Sequence, residues 1–188
     1  MKSRKQKTRS LYIDGFKINK HDEMRFQSKN YNSTYGELTK HGVSQLFGAM
    51  PLQGKIFCDL GSGVGNVLQY VISQCPYLKQ GVGVELSEER HASALIKCKQ
   101  GLKQGKIALY CDDLLQYNIG HCDVIYISNL CFPNHLNISI GKKIDKEAKK
   151  DAIVFSSKEI YCNNHWKMES LHVSQTWDTK SVIYKYYL

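Results

Sequence analysis

The stretch of sequence that decides the fold is Phe57-Cys58-Asp59-Leu60-Gly61-Ser62-Gly63-Val64-Gly65-Asn66. An apolar run ends in an acid, and three alternating glycines then lead into a segment with helical periodicity. Glycine lets the backbone turn tightly and approach a ligand where a Cβ would clash. The first turn of the following helix presents free N–H groups to that ligand. The pattern therefore predicts a buried strand, a ligand-binding turn and a helix.

Asp59 gives this turn a chemical preference. The G-x-G-x-x-G turns of dinucleotide-binding folds usually carry an apolar residue at this position. A carboxylate suits a ligand with a positive group, and S-adenosylmethionine carries both an ammonium and a sulfonium. The stretch is therefore the signature of a class I methyltransferase. The alternative is a strand–turn–helix that binds no nucleotide.

Strands and helices alternate along the rest of the chain. Apolar runs and helical periodicity predict strands at 55–59, 81–85, 107–111, 124–128 and 152–156, helices at 35–50, 64–75, 87–100 and about 136–149, and a hairpin of 171–177 and 182–187. Repeated βα units followed by a hairpin predict an α/β fold of the Rossmann-like class I methyltransferase kind. Its sheet would be mostly parallel and doubly wound, with a C-terminal antiparallel hairpin.

The size and charge of the chain limit its class and its partners. Its 188 residues suit one domain, predicted at 31–188 and preceded by a basic arm at 1–30. Lys and Arg outnumber Asp and Glu by 26 to 17, which favours nucleic acid or nucleosomes over membranes as partners. No apolar run of about 18 residues predicts a membrane span. The basic segment Lys2–Arg9 has no apolar core behind it, so no secretory signal is expected.

The cysteines and histidines predict no metal site. Neither a C-x-x-C nor an H-E-x-x-H pattern occurs, and several cysteines fall in predicted strands, where they act as small apolar residues. We therefore expect a reducing, intracellular compartment and no structural zinc. The seven cysteines are at 58, 75, 98, 111, 122, 131 and 162.

Acids follow the first three predicted strands, at the sheet edge where ligands of open α/β sheets bind. Asp59 ends the first strand. Glu85 ends the second and lies 20 residues after Gly65, the separation that places a carboxylate on a ribose diol. After the third strand, Asp112 or Asp113 could accept from the adenine amino group, with Leu114 packing on the ring, and Asp113 is preferred. The alternative makes these acids helix caps or solvated loop residues.

The chain resembles the disruptor-of-telomeric-silencing family, whose members are non-SET lysine methyltransferases acting on nucleosomal histone H3. The resemblance covers about residues 31–188. The segments that carry it are Tyr35-Gly36-Glu37, Asp59–Gly65, Gly83-Val84-Glu85, Val124–Phe132, Ile153–Lys158, Trp177 and Tyr184. The most selective pairing is Tyr-Gly-Glu with Ser128–Phe132, which is similar to the family's Asn-Asn-Phe-Ala-Phe segment.

The resemblance implies a role for each matched residue. Those implied to bind S-adenosylmethionine are Tyr35, Glu37 and Thr39 in a loop over its methionine end, Asp59, Gly61, Gly63 and Asn66 around its amino-acid part, Glu85 at the ribose, and Asp113 and Leu114 at the adenine. Those implied to form the active site are Asn129 at the end of the fourth strand and Phe132 and Tyr184 around a lysine channel. The alternative for Tyr35 and Tyr184 is that both are core aromatics.

The sequence also departs from the family pattern. Ser128 and Leu130 replace the first Asn and the first Phe of the family segment, so the shape of the channel would differ. A long helical region before the core and a basic tail after it are not found. The arm Lys2–Arg9, with five basic residues, could contact phosphates instead. Its alternative is a solvated terminus.

The expected function is methylation of a core-region lysine of histone H3 in nucleosomes, by a monomer in the nucleus or, for a viral or bacterial chain, in the host nucleus. Nucleosomal DNA would bind the arm. Three alternatives stay open: a lysine of a non-histone protein, a nucleic acid, and a binding module without activity. The segment after the fourth strand lacks the prolines typical of enzymes that methylate base amines, which disfavours the second.

Overall fold

A computed structural model describes residues 15–161 and 166–188. The helices are α1 (Lys20–Ser28), α2 (Lys40–Phe47), α3 (Asn66–Gln74), α4 (Glu88–Lys97), α5 (Lys99–Lys103) and α6 (Asn134–Glu147). The strands are β1 (Ile56–Leu60), β2 (Gln80–Glu85), β3 (Ile107–Cys111), β4 (Val124–Ile127), β5 (Ile153–Ser156), β6 (Lys167–Val173) and β7 (Ser181–Tyr187). Within the described ranges, no helix has the length and apolar composition needed to cross a bilayer.

All seven strands form one sheet in the order β3-β2-β1-β4-β5-β7-β6. The first five are parallel, whereas β7 runs antiparallel to β5 and β6 antiparallel to β7. The winding direction reverses between β1 and β4, the point at which ligands of such sheets bind beyond the carboxyl ends of the strands. The predicted fold class is confirmed.

The central strands are buried on both faces, as parallel strands covered by helices are. On one face, Phe47 of α2 packs edge-on against Phe57 and Phe155 of the sheet. On the other face, α6 buries Leu136 and Ile140 in a second core cluster. These two layers hold the sheet rigid, so the strand ends that carry the acids have fixed positions.

Several predicted element boundaries were wrong, including the start of the first hairpin strand, which lies at Lys167 rather than at 171. The helix predicted at 35–50 begins only at Lys40, because the Thr39 hydroxyl accepts from the N–H of Gly42 and caps it. The helix predicted at 87–100 is divided at Cys98 into α4 and α5. The first hairpin strand ends at Val173 rather than at 177, because residues 174–176 bond to the loop at 37–39 instead.

The N-terminal region contains more structure than the arm predicted for residues 1–30. Helix α1 docks on α4 through Asp22, which is fully buried. Its carboxylate accepts from the Ser87 hydroxyl at 2.6 Å and from the N–H groups of Glu88 and Glu89 at 3.1 and 2.9 Å. An acid at the positive end of a helix is stabilising. The basic segment Lys2–Arg9 lies outside the described residues.

The sequence reasoning, which took several cysteines as small apolar residues in strands, did not anticipate a disulfide. Cys58 in β1 and Cys122 before β4 form a disulfide, with Cα atoms 6.0 Å apart. The pairing of β1 with β4 brings them together across 64 residues, a separation that carries no local signal. His121 lies beside the two sulfurs, but a disulfide leaves no thiolate for a metal there. Because disulfides are typical of oxidising compartments, this pair does not support the predicted reducing compartment.

Candidate active site

A cavity lies beyond the carboxyl ends of β1 and β2, where the winding of the sheet reverses. We call it the strand-end cavity. The residues that line it are Phe26, Tyr31, Asn32, Thr34, Tyr35, Gly36, Gly61, Val84, Glu85, Leu86, Arg90, Asp112, Asp113, Leu114, Ser128, Phe132 and Leu136.

Two buried acids end the neighbouring strands β1 and β2. Glu85 accepts from the N–H groups of Gly63 and Ser87, both at 2.8 Å, which fixes its two oxygens beside the glycine turn. Burial raises the pKa of Glu85. Burial also raises the pKa of Asp59 well above its usual value, and the negative charges of Glu37 and Glu85 add to that shift. A cation placed between these carboxyls would be attracted to them and would lower their pKa values.

The loop before α2 contributes the third acid, Glu37. It accepts from the Tyr35 hydroxyl at 2.6 Å and from the side-chain amide of Asn66 at the start of α3. The ammonium of Lys97 donates in turn to Asn66 Oδ1 at 2.6 Å. Burial raises the pKa of Glu37, and burial with the charge of Glu37 raises that of Tyr35. This network joins three of the predicted cofactor residues.

The glycines at 61 and 63 leave space that a side chain would fill. Gly63 has φ +53°, and a Cβ there would lie 2.2 Å from the Tyr35 ring. Gly61 has φ +93° and faces Phe132 across the strand-end cavity. Backbone with positive φ favours glycine. Gly61 therefore lines the cavity, whereas the N–H groups of Gly61 and Ser62 already bond the Val84 carbonyl and that of Gly63 bonds Glu85.

The residues predicted for the adenine end also line the strand-end cavity, although Asp113 already has partners. Asp113 is buried and accepts from Lys29 Nζ at 3.0 Å, from the Tyr31 hydroxyl at 3.4 Å and from the N–H of Leu115 at 3.0 Å. Burial and the charge of Asp113 raise the pKa of Tyr31 to about 12. Asp112 and Leu114 line the same cavity. The choice of Asp113 over Asp112 stays a prediction.

Arg90 is a site residue that the sequence reasoning missed. Its buried guanidinium lies 4.0 Å from Glu85, and it donates to the carbonyls of Gly15 and Ser33 at 3.0 and 2.6 Å. It also lies over the rings of Phe26 and Tyr35. It thereby ties residues 15–35 over the strand-end cavity. An arginine in the first turn of an amphipathic helix gives no sequence signal for such a role.

A second cavity opens beside the first and shares four lining residues with it. We call it the outer cavity. Its lining residues are Thr34, Tyr35, Gly36, Ser128, Leu130, Cys131 and Trp177. Ser128 borders both cavities, and its hydroxyl donates to the Gly36 carbonyl at 2.8 Å. The junction of the two cavities is therefore at Ser128, the position where the family segment has its first Asn.

None of the three predicted active-site residues lines the outer cavity. Asn129 follows β4 but is fully buried, and its amide bonds Asn137 and both backbone groups of Lys158. Phe132 lines the strand-end cavity. Tyr184 lines a third cavity of about 480 Å³, which we call the hairpin cavity. Their predicted roles in a lysine channel stay predictions.

Thr39 also lies outside the cavities and belongs to a set of hydrogen bonds between the loop before α2 and the segment after β6. Its hydroxyl donates to Ser174 Oγ at 2.9 Å as well as capping α2. The N–H of Glu37 donates to the Thr176 hydroxyl at 3.1 Å, and the carbonyl of Glu37 accepts from the N–H of Thr176 at 2.9 Å. Trp177 covers Gly36, where an added Cβ would lie 2.4 Å from the indole. The loop that carries Tyr35 and Glu37 is thus fastened to the hairpin that carries Trp177.

The strand-end cavity fits S-adenosylmethionine. Glu85 lines the cavity, whereas Asp59 and Glu37 lie beside the glycine turn without lining it. The raised pKa values of these three acids are those of carboxyls whose ionised forms a cationic ligand would stabilise. Each carboxylate oxygen can accept more than one hydrogen bond, so Glu85 keeps acceptor capacity for ribose hydroxyls beside its two N–H partners. Leu114 supplies apolar surface for a flat ring.

Comparison with known proteins identifies relatives by sequence. The family described as "Histone methylation protein DOT1" matches residues 17–185. Two curated relatives are named histone-lysine N-methyltransferase, H3 lysine-79 specific. The one from Aspergillus fumigatus is 29% identical over 63% of this chain and 26% of the relative. The one from Eremothecium gossypii is 31% identical over 60% of this chain and 22% of the relative. The chain thus spans about a quarter of the length of these relatives.

Solved structures of enzymes with different functions share the fold. An RNA methyltransferase from Salinibacter ruber, in complex with S-adenosyl-L-homocysteine, has a TM-score of 0.59 at 16% identity over 77% of this chain and 88% of its own. The cyclopropane synthase MmaA2 from Mycobacterium tuberculosis has a TM-score of 0.52 at 17% identity over 69% and 42%. At this identity the likeness establishes the class I methyltransferase fold and leaves the substrate open.

Proposed function

Because the chain belongs to the DOT1 family of histone methylation proteins, we propose that it is an S-adenosylmethionine-dependent protein-lysine methyltransferase. Its substrate would be a core-region lysine of histone H3 in nucleosomes, as the names of its relatives suggest. The observation that carries the proposal is the meeting of an acidic strand-end cavity with an outer cavity at Ser128. One cavity suits a cationic cofactor, and the other gives access from the surface.

The residues proposed to hold the cofactor come from two sides. Asp59, Glu37 and the glycine turn would surround its charged amino-acid part, and Glu85 would accept from the ribose hydroxyls. The adenine would lie near Asp113 and Leu114. When bound, S-adenosylmethionine supplies the methyl group. Arg90 keeps residues 15–35 over the cavity and limits the access of water to it.

The lining of the outer cavity favours the neutral form of a lysine. Removing a proton from a lysine of pKa about 10.4 costs about 4–5 kcal/mol at about pH 7. No acid lines this cavity among the described residues, so no carboxylate stabilises the charged amine, and Leu130 and Trp177 give the cavity apolar surface. The Ser128 hydroxyl donates a hydrogen bond to the Gly36 carbonyl. The lone pairs of its oxygen can therefore accept a hydrogen bond from the amine and orient it. Alignment rather than a general base would then promote transfer.

The finer assignments remain part of the proposal. Action on histone H3 implies work in a nucleus, either its own or a host's. The net charge of +9 suits a nucleosome as partner. Contact of the arm Lys2–Arg9 with nucleosomal DNA, and a monomeric state, are proposed on the sequence alone.

Methyl transfer from labelled S-adenosylmethionine to nucleosomes, free histone H3 and naked DNA tests the proposal, with mass spectrometry to locate the mark. We expect one modified lysine on histone H3, with nucleosomes preferred. Gly63→Arg should abolish transfer, because its side chain meets the Tyr35 ring. Gly105→Arg is the matched control, since Gly105 also has positive φ, at +66°, but open space around it. Label on DNA, or on a protein other than histone H3, would refute the histone assignment.

A further inference from the structure

The Cys58–Cys122 disulfide lies beside a third side chain that can ligate a metal. Both cysteines are fully buried, whereas His121 is exposed, and its Nε2 lies 4.0 Å from Cys122 Sγ. The two sulfurs and an imidazole nitrogen are all within 4.8 Å of one another. None of these three residues lines the strand-end, outer or hairpin cavity. Neither cofactor binding nor substrate binding therefore explains the group.

In a reducing compartment the same pair carries thiols. The proposed function implies work in a nucleus, where protein thiols are kept reduced. A small thiol reductant opens the disulfide by supplying two electrons and two protons, and is itself oxidised to a disulfide. Reduction thus removes the covalent link between β1 and the chain that enters β4. It leaves two buried thiols next to the imidazole of His121.

The spacing of the three ligand atoms is close to that of a zinc site. Zinc bonds thiolate sulfur at about 2.3 Å and imidazole nitrogen at about 2.0–2.1 Å in a tetrahedral arrangement, so neighbouring ligand atoms lie about 3.5–3.8 Å apart. The distance of 4.0 Å from His121 Nε2 to Cys122 Sγ is already near this range. Once the S–S bond is open, the sulfurs must separate to about 3.8 Å. Because the Cα atoms are 6.0 Å apart, rotation of the two side chains can supply that separation.

Zinc also suits the charge and the number of ligands. Two thiolates neutralise Zn²⁺, so the buried sulfurs are not left with an unpaired charge. The carboxylate of Asp123 is already engaged, since it accepts from the N–H of Ile56 and from Lys149 Nζ, both at 2.7 Å. No further His, Cys, Asp or Glu in the described part of the chain joins the group. Three protein ligands with water in the fourth position are typical of open zinc sites, and the exposed side of His121 gives water access.

We propose that the reduced chain binds one Zn²⁺ ion through Cys58, His121 and Cys122, with water as the fourth ligand. Binding forms two Zn–S bonds and one Zn–N bond and releases both thiol protons to solvent. The Tyr117 hydroxyl, 3.2 Å from the same His121 nitrogen, gives way to the ion. The link between β1 and the chain that enters β4 is then kept in both redox states, as a disulfide or as a zinc complex. The site rests on its own geometry and does not depend on methyl transfer.

Titration with Zn²⁺ against a chromophoric chelator tests the site in the reduced and disulfide forms of the full chain. The reduced wild type should bind one ion that the disulfide form does not bind. Affinity should fall at least about 100-fold in Cys58→Ala and at least about tenfold in His121→Gln, whose exposed position keeps the fold intact. His172→Gln, at another exposed histidine, should leave affinity unchanged. Equal affinity in the two redox forms, or in His121→Gln and wild type, would overturn the proposal.

Two further measurements separate this site from zinc bound at other thiols. With Co²⁺ as the probe, a thiolate-to-cobalt charge-transfer band should appear on reduction, be lost in Cys58→Ala, and persist in Cys131→Ser, at an exposed free cysteine. Zn²⁺ at about 100-fold above its Kd should raise the Tm of the reduced chain by about 5 °C or more and leave that of the disulfide form unchanged. A band that survives Cys58→Ala, or an equal rise of Tm in both forms, would refute zinc binding at this pair.

Discussion

The strand-end cavity and the outer cavity differ in how the chain builds them. The first takes most of its acids and glycines from strand ends and turns between residues 59 and 114, in a regular βα order. The second joins three separate segments, at 34–36, 128–131 and 177. The cavity proposed for a cofactor that many enzymes share takes these residues from a local pattern, whereas the cavity proposed for the substrate is assembled from distant parts of the chain. The substrate side is therefore the side that sequence reasoning resolves least.

The two cavities also differ in charge. Glu85, Asp112 and Asp113 line the strand-end cavity, and burial raises the pKa of Glu85. No acid lines the outer cavity among the described residues. One side thus attracts a cation, and the other discourages one. This contrast predicts that substitutions on the first side act on cofactor affinity and those on the second on substrate kinetics.

The largest effect is expected from Glu85→Gln. The carboxylate accepts from two backbone N–H groups at once, and an amide nitrogen facing either of them would place two donors together. Losing a charged, buried hydrogen-bond acceptor costs about 3 kcal/mol, or about 100-fold in cofactor affinity. Isothermal titration with S-adenosylhomocysteine measures the change.

Glu88→Gln is the matched control for this prediction. Glu88 lies three residues further along, is exposed, and pairs with Arg25 at the surface. Its substitution should change cofactor affinity by less than about threefold. Comparable losses in both variants would mean that Glu85 has no special place in the site.

The second largest effect should lie on the substrate side, with Trp177→Ala. Trp177 is 41% exposed and lines both the outer cavity and the hairpin cavity. Removing its indole loses about 2 kcal/mol of apolar contact with a bound polypeptide, or about 30-fold in kcat/KM on nucleosomes. Cofactor affinity should change little. Met168→Ala, at an exposed apolar residue of β6 outside all three cavities, is the control. A Trp177→Ala loss confined to cofactor affinity would reverse the assignment of the two sides.

The difference between the two sides also decides what the sequence could predict. The fold, the glycine turn and the ends of β1 and β2 follow from periodicity and spacing, and the structure brings Asp59, Gly61, Gly63 and Glu85 together. Thr39 instead caps α2, since a helix start and a ligand loop both favour a short polar side chain. Arg90 and the Cys58–Cys122 pair were missed because their partners lie 75 and 64 residues away. Tertiary contacts of that kind leave no local pattern.

A smaller effect concerns pH and belongs to the cofactor side alone. Burial raises the pKa of Glu37, Asp59 and Glu85, so the free protein keeps protons on these groups at a higher pH than exposed carboxyls would. A cationic cofactor favours the ionised forms, so its binding releases protons, and its affinity rises with pH through this range. We expect affinity to rise by up to about tenfold per pH unit for each proton released. Calorimetry in buffers of different ionisation enthalpy counts those protons. Proton uptake on binding would contradict the charge assignment.

The smallest effect, from Thr176→Val, tests whether the two sides are independent at all. The Thr176 hydroxyl accepts from the N–H of Glu37 on the cofactor side, and Trp177 on the substrate side follows it directly. Valine keeps the shape and the backbone bond but removes this neutral hydrogen bond, which is worth about 0.5–1 kcal/mol, or about threefold. If the hydrogen bonds between the two segments couple the two sites, both the affinity for cofactor and the KM for nucleosomes should become worse in the variant. Because coupling between two ligands is reciprocal, cofactor should then improve nucleosome binding less in the variant than in the wild type. An effect on cofactor affinity alone would mean that the shared loop joins two sites that work separately.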